Sequence, residues 1–500
     1  MASYQKSEEE SAETAMEVHS EIKLEVNETE KEEFEVTFDS IDDIDPENVS
    51  LRMSTWRKYY ISLLITFTAM VITMISSCWT FVSPHIMAKY GISHEVSVLG
   101  ITLYVFGLAC GPLFLSPISE LYGRRITFIF SLVLSMIFQC LTTWSATIEG
   151  VMFGRFLSGF FGSSFLSVAG GTISDLFDKN QITVPMTFFT TAGLLGPSLG
   201  PLISGAMYTV EYRWTFVLFL ISSGVCFVLI ILTVPETYQP SLLIAKAKRL
   251  RNSTGEDRYY APLEITRKET NLLSAMFLTC RRPFGLLFRD PMMGVLCFYT
   301  GVELAIVYLF FVAFPYTFKT LYKFGVMEQA CAYIGLMCGM LFAAPTAVLF
   351  QKRFEKRVAN NGGVSVPEMR FEPLFYGAFL TPIGLMIFSW TCYSNVHWIG
   401  PIIGSAVFSF GLLYVFVGIF NYTVDAYKKY AASGLACNTF VRCIMAGVFP
   451  LFGLQMYEGM GINWASFLLT MITVLMIPVP FIFTKYGASL RAKSPYAWTD

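Results

Sequence analysis

Gly193-Leu194-Leu195-Gly196-Pro197-Ser198-Leu199-Gly200-Pro201 lies inside an apolar stretch of roughly 24 residues. A soluble helix rarely tolerates so many breakers, because Pro removes a backbone donor and Gly costs ordering entropy. A helix in lipid can carry them: neighbouring helices re-satisfy the freed backbone groups, and Gly lets helices approach closely. The run therefore predicts a bent, tightly packed span in a helical bundle. A plain small-residue packing face is the simpler alternative.

Composition extends that reading to the whole chain. Of 500 residues 54% are hydrophobic and 14% charged, with mean hydropathy +0.54, far from the quarter charged residues of ordinary soluble domains. Residues 1–50 hold 17 acids and 3 bases, which leaves 20 acids and 32 bases for the remainder. An acidic tail thus masks a basic membrane domain. The 11 Cys are scattered singly, as at Cys78, Cys110, Cys140, Cys226, Cys297 and Cys338, without metal-ligand spacing, and read as small core hydrophobes. The opening segment has neither the basic nor the apolar region of a signal peptide, and its acidic run predicts disorder.

Apolar runs long enough for a hydrocarbon core fall near 60–83, 97–118, 126–146, 150–174, 184–208, 214–234, 292–317, 328–350, 372–391, 398–422, 432–455 and 464–485. Six precede and six follow a polar, basic segment. The expected organisation is an acidic tail (1–55), a first six-helix bundle (56–235), a central loop (236–290), a second bundle (291–486) and a short tail (487–500), an all-α polytopic architecture. Basic residues cluster on one side: Arg124-Arg125, Lys179, the central segment, Lys352-Arg353, Lys356-Arg357 and Lys428-Lys429. Both tails and the central loop are therefore expected in the cytosol. The sequons at Asn27, Asn48, Asn252 and Asn421 would then escape glycosylation.

Between the second and third runs the chain reads Gly111-Pro112-Leu113-Phe114-Leu115-Ser116-Pro117-Ile118-Ser119-Glu120-Leu121-Tyr122-Gly123-Arg124-Arg125. One acid and two arginines at a membrane edge suit a charge-paired latch. The fourth run begins Gly154-Arg155-Phe156-Leu157-Ser158-Gly159, and an arginine inside an uncharged helix is costly unless it faces a cavity or a partner.

These segments resemble signatures of the major facilitator superfamily: its Gly-acid-Arg loop, its Arg-x-x-x-Gly motif in span four and its antiporter motif in span five. Tyr212-Arg213-Trp214, Pro235-Glu236-Thr237-Tyr238, Asn421 to Tyr427 and Ala436 to Arg442 are similar to its fungal twelve-span branch of drug:proton antiporters, which includes multidrug and polyamine exporters and some vitamin carriers. The resemblance covers about residues 55–490 and implies two six-helix bundles around a midplane site. It assigns Glu120, Arg124 and Arg125 to a latch, Arg155 to proton coupling, and Gly193, Gly196, Pro197, Gly200 and Pro201 to the antiporter motif. The chain departs from the branch at Val312-Ala313-Phe314-Pro315, where relatives often carry Glu before Ala-Phe-Pro.

Glu303, in Thr300-Gly301-Val302-Glu303-Leu304-Ala305, sits near the middle of its run instead. A carboxylate cannot face lipid there, and a desolvated acid can carry a proton in one conformation and release it in another. A cationic solute could compete for the same group, while a protonated structural acid is the alternative. Asp175, Asp425 and Arg442 are ion-pair candidates, with Asp425 and Arg442 a candidate pair.

The expected activity is proton-coupled exchange that exports drugs, polyamines or other organic cations. Proton symport of a vitamin-like solute and a transport-inactive solute receptor remain open. The partners expected are protons, a cationic or amphipathic small molecule and the bilayer, with a monomer in the plasma membrane. Neither an enzyme, a cofactor, a metal nor nucleic-acid binding is indicated.

Overall fold

Lipid offers no hydrogen bonds, so each crossing segment must satisfy its own backbone, and a helix of about 20 residues does so across the hydrocarbon. The computed structural model describes residues 34–38, 53–177, 181–269, 272–362, 365–427, 431–495 and 497. Most of the acidic tail, the sequons Asn27 and Asn48, and Lys179, Lys428 and Lys429 lie outside them. Twelve helices are long and apolar enough to span a membrane. They are Thr55–Ser77, His94–Tyr122, Arg124–Trp144, Ile148–Leu176, Val184–Ala206, Arg213–Thr233, Pro291–Tyr322, Val326–Asn360, Pro367–Thr391, Ile399–Tyr427, Ser433–Met460 and Ile462–Lys493. They are called spans one to twelve.

The breaks in the spanning helices lie outside the glycine- and proline-rich span five. Thr183–Ala206 is one uninterrupted helix despite Pro197 and Pro201. Span one instead breaks at Cys78 and resumes as Trp79–Tyr90, and span four breaks at Ser163. Span five's small residues serve approach: a Cβ on Gly196 would lie 2.8 Å from Met70 O, and one on Gly200 3.0 Å from Cys78 N. Both contacts are backbone of span one. Gly193 has nothing within 4 Å of its would-be Cβ, so it takes no part in that seam.

The central segment, expected as a loop, folds into the helices Gln239–Thr254, Pro262–Glu269 and Leu272–Arg289. Residues 34–38 of the tail, expected to be disordered, dock on it. Val36 N donates to Tyr260 O at 3.0 Å, Tyr260 N to Phe34 O at 3.1 Å, and Lys246 Nζ to Thr37 O at 3.1 Å. Val36 is buried with Ala247 and Ala261. The last helix runs to Lys493, beyond the expected limit at 486, because Arg491 pairs with Glu368 and Ser494 Oγ donates to Asp290.

Candidate functional site

Two structural seams carry the charged residues: the boundary between the bundles, and the face that bears Arg124 and Arg370, here called the basic face. At the boundary Ser76 and Tyr308 hydroxyls bond at 2.9 Å, Thr102 Oγ1 donates to Gly447 O at 2.8 Å, and the Phe81 ring meets Tyr333. Toward the basic face a narrow cleft lies between Thr187 of span five and Ala347, Val417 and Asn421 of spans eight and ten.

Arg155 is fully buried at this boundary. Its Nε donates to Gly100 O at 2.8 Å, and its terminal nitrogens to Ile75 O at 2.7 Å and Ser76 O at 3.0 Å. The last two carbonyls belong to the final turn of Thr55–Ser77 beside the break at Cys78, whose Sγ also donates to Ile75 O at 3.2 Å. Arg155 therefore caps a helix C-terminus from another span, where the dipole favours a cation. The rings of Tyr104 (4.3 Å) and Trp79 (5.1 Å) face the guanidinium carbon, a cation–π contribution of about 0.5–2 kcal/mol each.

Glu303 is fully buried, but it points away from this boundary. Gly301 sits 3.6 Å, from its would-be Cβ, to Arg442 Cα of span eleven, and Tyr308, two turns on from Gly301, reaches Ser76 of span one. Phe310, two turns on from Glu303, packs instead on Phe388 and Phe408 of spans nine and ten. Thr381 of span nine is the polar group facing the carboxyl, outside good hydrogen-bond geometry, and both carboxyl oxygens and Tyr299 Oη lack bonds. A solute at the boundary would not meet this acid, so direct competition between proton and solute for Glu303 is not what this geometry offers. Among the described residues Glu303 is still the one carboxyl deep within a span.

On the basic face the expected Glu120–Arg124 latch is replaced. Glu120 is exposed. Arg124 Nε bonds Asp175 Oδ2 at 3.0 Å, its NH1 donates to Ser119 Oγ, and its guanidinium lies over Tyr238 at 4.6 Å. The physical reason is register: Arg124 opens span three beside the end of span four and bonds Asp175 there, whereas Glu120, on the last turn of span two, stays near Arg124 and Arg282 without a direct bond to either. Glu236 accepts from the Arg124 and Arg125 backbone N–H groups at the positive end of span three, and Arg125 NH2 donates to Ile231 O.

The expected Asp425–Arg442 pair is also not formed. Asp425 Oδ2 takes Arg370 Nε at 2.6 Å, and Arg370 stacks at 3.5 Å over Phe354. Asp425 ends span ten at the basic face while Arg442 lies three turns into span eleven, too deep to reach it. Arg370 lies in the first turn of span nine as Arg124 does in span three, and Asp425 ends span ten as Asp175 ends span four. The second bundle repeats the first. Arg370 was missed from sequence, although its position in the second six-span half was the signal available.

A family model described as Major Facilitator Superfamily matches residues 63–450. The chain belongs to the major facilitator superfamily. It is 70% identical over 470 residues to the probable drug/proton antiporter YHK8 of Saccharomyces cerevisiae, covering 94% of this chain and 91% of that protein. It is 42% identical to the efflux pump atB of Aspergillus terreus, over 78% of this chain and 83% of the pump. The multidrug transporter mdrA of Aspergillus fumigatus is 35% identical, over 94% of this chain and 77% of its own length. The proton:xylose symporter XylE shares the fold at TM-score 0.61 and 13% identity, over 87% of this chain and 96% of the symporter. Within this superfamily member Gly196 and Gly200 seat span five on the broken helix that Arg155 caps.

Proposed function

We propose that this chain is a proton antiporter that exports small organic solutes by rocking its two bundles about the boundary held by Arg155, Ser76 and Tyr308. Glu303 carries the proton. The observation behind this is a fully buried carboxyl deep in a span, with no charged partner among the described residues. A lone carboxylate in such a site is costly, and the neutral acid is not, so its proton load follows the conformation. The named antiporter and efflux relatives support outward transport. The Arg124–Asp175 and Arg370–Asp425 pairs act as matched latches on the basic face. That face is cytosolic in this reading, with both termini beneath it, the plasma membrane as host, and the monomer as the working unit because one chain supplies both bundles.

Flux in proteoliposomes with an imposed pH gradient tests it. The unaltered chain should drive drug movement against the proton gradient, and Glu303→Gln should fold and bind solute while its flux ignores the gradient. Gradient-driven flux at an unchanged rate in Glu303→Gln would remove Glu303 from coupling.

A further inference from the structure

Two arginines lie deep in the spans, and their surroundings differ. Arg155 is closed off, with bonds to three carbonyls. Arg442 is only partly buried, its Nε makes no hydrogen bond, and no carboxylate of a described residue pairs with it. The rings of Phe420 (5.1 Å) and Phe416 (5.6 Å) face its guanidinium, and the Cys443 thiol and Tyr308 are its polar neighbours. Tyr308 is the residue that bonds Ser76 across the bundle boundary, which puts Arg442 beside that boundary. Phe416 and Phe420 each precede a residue, Val417 and Asn421, that lines the cleft between spans five, eight and ten.

A cation this deep, with its Nε unbonded and no carboxylate of a described residue paired with it, is set up for a visiting anion. A guanidinium fork matches a carboxylate in two parallel bonds, and flat rings beside it suit a flat apolar body. Among the described residues no carboxylate stands at the boundary to pair with an ammonium, since Glu303 faces spans nine and ten. We propose that Arg442 is the anion-binding group of the solute site, and that the solutes exported are organic acids with an aromatic or otherwise flat apolar body rather than organic cations. The inference rests on the exporter reading above and names its substrate class.

Three probes of nearly equal shape separate the possibilities: naphthoate, naphthylmethylamine and naphthylmethanol, each added to the purified full chain in detergent. Naphthoate should raise the melting temperature and bind at least tenfold more tightly than the amine, with the alcohol weak. Arg442→Gln should lose roughly tenfold or more of naphthoate affinity and leave the alcohol unchanged, and Arg442→Lys should regain part of it. Absence of naphthoate binding, amine binding as tight as naphthoate, or unchanged naphthoate affinity in Arg442→Gln overturns the assignment. Should Arg442→Gln fail to fold, the selectivity of the unaltered chain decides alone. In proteoliposomes, gradient-driven flux of the amine but not of naphthoate would overturn the anion assignment and leave the antiporter standing. Naphthoate binding without gradient-driven flux of any probe would overturn the antiporter and leave the anion site standing.

Discussion

Replacing Gly200 by Ala adds one methyl to the seam between spans five and one. Its Cβ would sit 3.0 Å from Cys78 N and closer still to Met74 O and Ser77 Oγ, where ordinary contact starts at 3.4 Å. Ser77 Oγ can rotate away, but Met74 O and Cys78 N are backbone and cannot, so the helices must part by several tenths of an ångström. Overpacking of this kind costs about 1–3 kcal/mol, against about 1 kcal/mol gained from Ala's helix preference. The effect is amplified by place, because Met74 to Cys78 is the turn whose Ile75 and Ser76 carbonyls Arg155 holds. Gly193→Ala is the matched control: it gains the same propensity and meets nothing within 4 Å. The melting temperature of the purified chain and its export rate should both fall for Gly200→Ala, while Gly193→Ala equals or exceeds the unaltered chain. Equal effects of the two substitutions would refute the packing argument, whatever their size.

The latch partner is separable by neutral substitutions: Asp175→Asn should shift the balance of inward and outward states, by at most about a hundredfold from the ~1.5–3 kcal/mol of a charge-assisted bond, whereas Glu120→Gln should not. Accessibility labelling of introduced cysteines at the boundary reads that balance, and a larger effect from Glu120→Gln would restore the latch expected from sequence. Asp425→Asn should mimic Asp175→Asn in the second bundle; opposite shifts in the same labelling would break the proposed equivalence. Arg155→Lys should destabilise the chain despite keeping the charge, because one ammonium cannot serve carbonyls of two helices in fork geometry. A melting temperature unchanged by that substitution would show that the carbonyl contacts carry little weight.

The twelve spans were legible because lipid imposes one length and one polarity on every crossing segment. Which span would break was not. Pro197 and Pro201 announce a bend, yet span five stays helical, while span one breaks at Cys78 without Gly or Pro at that point, because the capping donor, Arg155, arrives from about 80 residues away in the chain. Charged residues were legible as a set and not as pairs. Arg124 and Asp175 were both singled out, but their pairing depends on how the end of span four lies beside the start of span three. The depth of Glu303 could be read from its place in the run; the side it faces could not, since span seven is apolar all round and shows no polar stripe.

The short pairing of residues 34–38 with Tyr260 makes the chain close on itself. The six spans of the first bundle lie between those two contacts, so the first bundle hangs as a single large ring clasped on the segment that leads to the second. A change at Phe34 or Val36, far from any span in sequence, therefore acts on the joint between bundles, where motion of one relative to the other has to pass.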